Sequence, residues 1–384
     1  MKTRRVEADA ELAARLVLLG LGGIGPRRGH WLLGGDEKRA IAAVAALRER
    51  RLPVGRETAP AGVGQALLDQ WFAEVRRLDG PALLAEHRNA GIRILGPDDA
   101  WWPFHNDPDP PLLLFATGHV DGLAPDAGPR VAVVGTRRCT TVGRRVAYSL
   151  GADLTAHQVP VVSGLALGID GAAHLGAISA GGSGAPPVAV VASGLDRVYP
   201  PGNTALWQEL SQRGLLLSEA PLGTPPQRWR FPARNRLIAA LAALVVVVES
   251  HERGGALLTV DEAAERGVPV AVVPGSVLSA ASNGTNALLL DGCAPVRNAT
   301  DVLDLLPLRA GRSPAVQFEA VPLQLGFQPG LDELSQSILE QLGAGEIHLD
   351  HLVAVTGCSI RDVVRSVGVL VDRGLAEREG NRVR

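Results

Sequence analysis

The chain has 384 residues, 46% hydrophobic content and a formal net charge of −2 at pH 7. The length predicts about two or three domains. The near-neutral charge excludes a globally basic surface, so nucleic-acid binding would need a local patch.

The 3 cysteines are far apart, which favours a reducing cytoplasm and indicates neither a disulfide framework nor a zinc site. No signal peptide or transmembrane helix is predicted, so no membrane partner is expected. Only Lys2 and Lys38 are lysines, which excludes P-loop and Schiff-base lysine chemistry beyond residue 38.

The N-terminal part is predicted to be mostly helical. Helices are expected over Glu11–Gly20 and His30–Leu33, with the turn Gly22-Gly-Ile-Gly25 between them. This resembles a helix-hairpin-helix turn, whose backbone N–H groups can meet a phosphate, although a tight turn without a ligand fits the pattern equally well. Helical, amphipathic structure is expected over Leu67–Ala90, followed by a strand at Gly91–Leu95.

A stretch rich in aromatic residues and proline follows. Pro97–Pro111 contains Trp101, Trp102 and Phe104, which we interpret as a hydrophobic seam against the next domain; a base-stacking platform is the alternative. Gly118–Pro129 is the expected linker.

Five short apolar runs, each ending in a glycine- or serine-rich turn, dominate the middle of the chain. They begin at Val131, Val159, Val188, Leu244 and Val268. With helical stretches between most of them, they predict an α/β fold with an extended Rossmann-like, doubly wound, mostly parallel sheet. Ligands of such sheets bind beyond the carboxyl ends of the strands, where all five turns should line one crevice. A short extra strand is expected at Leu215–Ser218.

The first turn argues against a dinucleotide. The fingerprint Gly-x-Gly-x-x-Gly would need glycine where this chain has Arg137, two residues after Gly135. We therefore expect an anion met by a guanidinium, and no cofactor. In the second turn, Asp170 and His174 are four residues apart on one helix face. An acid/base or metal pair is one reading; the favoured one has Asp170 capping the helix and His174 hydrogen-bonded within the turn.

The strongest local chemistry lies in the stretch 226–236. Four arginines interleave with Trp229 and Phe231 there: Arg228, Arg230, Arg234 and Arg236. Cations that contact phosphates and aromatic rings that stack on unpaired bases are what binding of single-stranded nucleic acid requires. The alternative is a helix start whose arginines pair with acids.

The combination of motifs closely resembles the DNA-processing protein A family (DprA, also called Smf). The matching segments come in the family's order over Val131–Gly292 and start at Val131, Ser163, Gly194, Leu217, Phe231, Val273 and Gly284. The resemblance implies a dimeric protein that binds single-stranded DNA and delivers it to the RecA recombinase in natural transformation, competence or related recombination. Single-strand-binding protein is a further expected partner.

The resemblance also implies a DNA-binding set, with no catalytic or metal residues. The residues are Gly135, Thr136, Arg137, Ser163, Gly164, Arg228, Phe231, Arg234, Asn235, Arg236 and Gly275. The chain departs from the family pattern at Thr136, where serine is usual, and at Ala240, Gly254 and Val260. None of these changes removes a cation or the stacking ring.

The competing function is a nucleotide-processing enzyme of the phosphoribohydrolase type on the same kind of sheet. Pro274-Gly-Ser276 lacks the Pro-Gly-Gly-x-Gly-Thr turn of such enzymes, so we expect no enzymatic activity. The expected domains are an N-terminal helical (helix-hairpin-helix or SAM-like) part with a connecting segment (1–117), the Rossmann-like DNA-binding domain (118–306), a linker (307–330) and a winged helix (331–384).

Overall fold

The structure is a computed structural model. It describes residues 2–34, 40–53, 60, 62–124, 128–181, 184–306, 332–342, 347–356, 358–372 and 375–383. The chain divides into two compact units, Met1–Pro307 and Leu308–Arg384. The predicted linker over 307–330 lies outside the described residues, and the predicted domain limits stay a prediction.

Among the described residues, five helices precede the sheet. They are α1 (Lys2–Leu19), α2 (Pro26–Leu33), α3 (Ala40–Arg48), α4 (Gln65–Glu74) and α5 (Gly80–Asn89). The stretch Leu67–Ala90, expected to be helical, contains most of α4 and α5 with a break at residues 75–79. Asp79 accepts a hydrogen bond from the Ala82 N–H at 3.1 Å and so caps α5, and Pro81 lies in the first turn of α5, where its missing N–H needs no partner. No helix was predicted where α3 lies.

The part of the chain that the structure describes contributes nine strands to the large sheet. They are β1 (Arg93–Leu95), β2 (Leu114–Gly118), β3 (Val131–Val134), β4 (Val161–Ser163), β5 (Val188–Val191), β6 (Leu215–Ser218), β7 (Leu244–Val247), β8 (Val270–Val272) and β9 (Ala294–Pro295). Their order is β1-β2-β6-β5-β4-β3-β7-β8-β9. All neighbours from β6 to β9 pair parallel, whereas β1 and β2 add an antiparallel edge. The predicted doubly wound, mostly parallel fold is confirmed.

Helices cover both faces of this sheet. They are α6 (Thr141–Ala156), α7 (Ile169–Ser179), α8 (Thr204–Arg213), α9 (Arg230–Leu241), α10 (Leu257–Glu265), α11 (Asn283–Leu290) and α12 (Ala299–Asp304). Side chains of β3 alternate between the faces: Val131 and Val133 join one buried cluster with α6 and α7, and Ala132 and Val134 join another with α9 and α10. The strand is apolar throughout because both its faces are buried.

Close packing of α6 on α7 depends on two glycines. A Cβ at Gly151 would collide with the Ala173 carbonyl oxygen, and one at Gly176 with the Tyr148 carbonyl oxygen. The two helices can approach this closely only because both positions lack a side chain. Their contact fixes the start of α7, and with it the turn that follows β4.

The aromatic stretch before β2 is part of the core. Trp102 and Phe104 are buried against the sheet, with ring centroids 5.4 Å apart. The predicted hydrophobic seam is thereby confirmed. The sheet itself starts earlier than expected, since β1 and β2 both begin before residue 118 and β2 pairs with β6.

The second unit contains α13 (Glu333–Leu342), β10 (Ile347–His348), α14 (Leu349–Thr356), α15 (Ile360–Asp372), β11 (Arg378–Glu379) and β12 (Arg382–Val383). Its strands form a small sheet in the order β10-β12-β11 over a separate apolar cluster. This sequence of elements is the one expected for a winged helix, and that assignment stays a prediction. Within the described ranges of both units, no helix combines the length and the apolar character needed to span a membrane.

Candidate nucleic-acid interface

The strand order reverses at β3, which lies between β4 and β7. In doubly wound sheets this is where a crevice opens beyond the carboxyl ends of the strands. The turn after β3 is held from the β7 side. The Thr136 N–H donates to the Glu249 carbonyl oxygen at 2.8 Å, and the Glu249 carboxylate accepts from the Thr140 N–H and hydroxyl at 2.9 and 2.5 Å. Arg137 projects from a turn with fixed backbone, and its side chain is exposed.

The turn after β4 is buried and held from within. The Ser163 hydroxyl donates to the Val133 carbonyl oxygen at 2.7 Å, and the Gly164 N–H donates to Asp170 Oδ2 at 3.2 Å. A Cβ at Gly164 would overlap the Arg234 guanidinium. Ser163 and Gly164 therefore shape the turn, and the Ser163 hydroxyl is already used within the protein.

Two of the predicted DNA-binding arginines are buried. The Arg234 guanidinium donates to the carbonyl oxygens of Gly164, at 2.7 Å, and Val190. Burial lowers the pKa of Arg234 to about 10. Arg236 pairs with the Glu219 carboxylate and donates to the Asp109 carbonyl oxygen at 2.7 Å. Both guanidinium groups thus donate to acceptors within the protein. Their direct contact with DNA stays a prediction, and neither side chain is exposed.

The exposed part of the candidate site is a small cavity of about 60 Å³ at the carboxyl ends of β3, β4 and β5. The Arg137 guanidinium lies over the Phe231 ring, 5.0 Å from its centre, and the Tyr199 ring lies 5.3 Å from it at a tilt of 47°. Gly164 and Ser193 also line this cavity. A guanidinium and two rings at one rim can contact a phosphate and a base at the same time.

The remaining predicted site residues are dispersed. Arg228 is exposed and Asn235 half-buried, and neither lines this cavity. Gly275 lies in the exposed turn after β8, where its N–H donates to Asn286 Oδ1 at 3.2 Å. The expectation that all five turns line one crevice is therefore wrong for this cavity: the turns after β7 and β8 do not reach it, and that of β7 instead supports the turn of β3.

Asp170 does not have the capping role that the sequence favoured. The N-cap of α7 is Gly168, and Asp170 instead accepts the N–H of Gly164. His174 is completely buried; its ring nitrogens make no hydrogen bond of standard geometry among the described residues, and the Ser163 backbone of the same turn is a polar group that acts on the ring. Burial lowers the pKa of His174 to about 4, so the ring is neutral near pH 7. The part of the chain that the structure describes contains no group of three or more His, Cys, Asp or Glu residues placed to hold a metal ion.

Sequence reasoning missed Tyr199 as part of the site. It belongs to the turn after β5, and a tyrosine in a strand-end turn was the available signal, because strand-end turns meet at one edge of the sheet. Other residues that line the cavity, among them Leu167 and Pro226, carry no comparable signal.

Known proteins are similar to this chain. The family model of DNA recombination-mediator protein A matches residues 93–307. The putative DNA processing protein DprA of Mycobacterium tuberculosis is 36% identical over 368 residues, covering 88% of this chain and 86% of that protein. The DNA processing protein DprA of Streptococcus pneumoniae is 40% identical over 207 residues, covering 54% of this chain and 71% of that protein.

A crystal structure gives the same assignment. The X-ray structure of DNA processing protein A from Streptococcus pneumoniae superposes with a TM-score of 0.64 at 29% identity, covering 77% of this chain and 99% of that one. The matched family region spans more than half of the sequence and contains the sheet, the turn of Arg137 and the stretch of Phe231. The chain belongs to the DNA recombination-mediator protein A family.

Proposed function

We propose that the protein binds single-stranded DNA at the cavity of Arg137, Tyr199 and Phe231 and mediates recombination by delivering that strand to RecA. The observation that carries the proposal is the Arg137 guanidinium over the half-buried Phe231 ring, at the sheet edge where such folds bind ligands. An unpaired base can stack on an aromatic ring, whereas a base inside a duplex has both faces covered. The pairing of ring and cation therefore favours a single strand over a duplex.

A direct comparison of DNA forms tests this proposal. We expect single-stranded DNA to bind better than blunt duplex of the same length, without strong sequence preference, and to lose affinity as salt rises, because phosphate contacts release counterions. The measurement is fluorescence anisotropy with both DNA forms over a range of salt concentrations. Equal or tighter binding of the duplex would contradict the proposal.

The same proposal includes the absence of enzymatic activity. No lysine follows residue 38, and Pro274-Gly-Ser276 differs from the turn expected of phosphoribohydrolases. We expect no hydrolysis of ATP, GTP or nucleoside monophosphates by the purified protein. Turnover that co-elutes with the protein in gel filtration and disappears in Arg137→Ala would favour the enzymatic alternative. A cytoplasmic location, expected from the separated cysteines, belongs to the same proposal.

Delivery to RecA requires more than one pocket. A cavity this small holds a short stretch of strand, so a single copy should bind modestly, whereas two linked copies raise avidity about 10²–10⁴-fold when the geometry permits. We therefore include a homodimer in the proposal. Val277, Leu278 and Leu290 are 83%, 94% and 91% exposed, which is unusual for apolar side chains and offers a surface for a second copy.

The dimer and the delivery are tested together. Leu278→Glu combined with Leu290→Glu should give a monomer by light scattering that still binds short oligonucleotides. It should fail to accelerate ATP hydrolysis by RecA on strands coated with single-strand-binding protein, whereas the wild-type protein accelerates it. A wild-type monomer that stimulates RecA would remove the dimer from the proposal, and a dimer without effect on RecA would remove delivery and leave a strand-binding protein.

A further inference from the structure

A second cavity, larger than the one at Phe231, lies apart from it among the described residues. This groove of about 1000 Å³ lies between the α1–α2 turn and the stretch 221–236, and it belongs to the first compact unit. The residues 226–231, around the start of α9, form a wall common to both cavities. Pro226 and Phe231 line the small cavity, whereas Trp229 and Arg230 line the groove. A strand bound at Phe231 is therefore next to the groove.

The wall carries an aromatic ring and a cation without a full set of partners. Trp229 is 50% exposed, and its indole Nε1 donates to Gln227 Oε1 at 2.8 Å. The Arg230 guanidinium stacks on the Trp229 ring, 4.4 Å from its centre, and its buried Nε has no hydrogen-bond partner within the described ranges. An exposed ring beside a guanidinium is the arrangement that binds a base and its phosphate.

The opposite wall is the α1–α2 turn, which is anchored from behind. The Trp71 indole donates to the Gly22 carbonyl oxygen at 2.9 Å, and the Gly22 N–H donates to Glu74 Oε2 at 2.7 Å. Arg28 fixes the turn further by donating to the Gly23 carbonyl oxygen at 2.7 Å. Arg27 is exposed at the start of α2, at a rim whose backbone is thus held in place.

The groove is lined by charges of both signs. Its carboxylates include Asp109 and Glu262, which are held in ion pairs: Asp109 shares Arg236 with Glu219, and Glu262 shares Arg266 with Asp107. Arg27 is an exposed cation at the rim. The groove thus combines a stacking ring with an exposed guanidinium.

We propose that this groove is a second binding site for single-stranded DNA, in which a base stacks on Trp229 and a backbone phosphate contacts Arg27 at the α1–α2 turn. The inference rests on the proposed function, since it extends the strand held at Phe231. One protomer then holds a continuous strand over two cavities and the wall between them, and the N-terminal helices take part in binding.

The dependence of binding by the full chain on the length of the DNA distinguishes the two binding sites. The probes are oligothymidylates of about 4 and about 16 nucleotides, the two ends of the usual site-size range. We expect Trp229→Ala combined with Arg27→Ala to weaken binding of the longer probe about tenfold or more and to leave the shorter probe unchanged. Phe231→Ala should weaken both, and Arg77→Ala, an exposed arginine of the same helical part outside the groove, should change neither.

The outcomes distinguish this inference from the proposed function. Unchanged binding of the longer probe by the double variant, or a loss confined to blunt duplex, would contradict the second binding site and leave the Phe231 site unaffected. A wild-type protein that binds neither probe would overturn both. Thermal unfolding verifies that the double variant is folded. Independently, photocrosslinking of the wild-type protein to the longer probe should label residues 20–28, and labelling confined to other segments would contradict the inference.

Discussion

The arginines of the stretch 228–236 belong to two groups that the sequence does not distinguish. Arg228 is exposed, and Arg230 lies at a groove wall, whereas Arg234 and Arg236 are 4% and 3% exposed and bonded to protein acceptors. The buried pair connects α9 to the turn after β4 and to Glu219. The comparison shows that some arginines of one motif support a candidate binding site through buried hydrogen bonds, while others stay exposed at its surface.

The largest expected effect concerns stability and the buried group. Arg236→Ala should cost about 3–5 kcal/mol of unfolding free energy, because it leaves the Glu219 carboxylate buried without its cation. Arg228→Ala, the exposed matched control, should stay within about 0.5 kcal/mol of the wild-type protein. Urea unfolding followed by circular dichroism measures both. Similar losses for the two variants would mean that burial does not separate the two groups.

A second comparison is between the ring and its surroundings. Phe231→Ala should cost about 1–3 kcal/mol of single-strand binding, the usual scale of base–aromatic stacking, with little change in the salt dependence. Phe231→Leu is the matched control, since it keeps apolar bulk without a π face and should lose a similar amount. Anisotropy titrations at a fixed salt concentration measure the losses. Wild-type affinity in Phe231→Leu would show that the ring fills space and does not stack.

Much of the fold could be predicted because its signals are local. Each apolar run that ends in a glycine or serine turn became a parallel strand, since strands buried on both faces need such composition. The strand β2 was missed because its short apolar run lies between a proline-rich stretch and the expected linker. Helical structure over Leu67–Ala90 was predictable, whereas the break before α5 was not, because the apolar pattern continues across the cap at Asp79.

The site was predictable only in part because burial depends on distant residues. The partner that buries Arg236, Asp109, is 127 residues away in sequence, and one acceptor of Arg234, Gly164, is 70 residues away. Neither acceptor can be identified from the arginine-rich stretch itself. Arg137 and Phe231 were identifiable, because one ends a strand and the other is the ring within a run of cations. Their approach to 5.0 Å required the fold.

Below the site, the buried His174 contrasts with histidines at the surface. Its pKa is lowered by burial from 6.5 to about 4, so the unfolded chain binds a proton there at pH values where the folded protein does not. Stability should therefore fall as pH decreases from about 6.5 to about 4, by up to about 1.4 kcal/mol per pH unit, and His174 adds no further slope below that window.

The matching measurement is the free energy of unfolding against pH for His174→Gln and for His105→Gln, whose side chain is exposed. The first variant should lose part of the slope between about pH 6.5 and 4, and the second should keep it. An unchanged slope in His174→Gln would show that the buried ring is not responsible for the acid sensitivity.

The smallest expected effect concerns Arg137 and Arg138, two exposed arginines that are adjacent in the sequence. A guanidinium that meets one phosphate of a single strand contributes about 0.7 to the slope of log affinity against log salt, so Arg137→Ala should flatten that slope by about this amount and weaken binding to all sequences. Arg138→Ala is the matched control, because Arg138 is equally exposed but does not line the cavity of Phe231. Equal flattening by the two variants would mean that the strand responds to general positive charge. Flattening confined to Arg137→Ala would mean that the ring beneath Arg137 fixes where the phosphate binds.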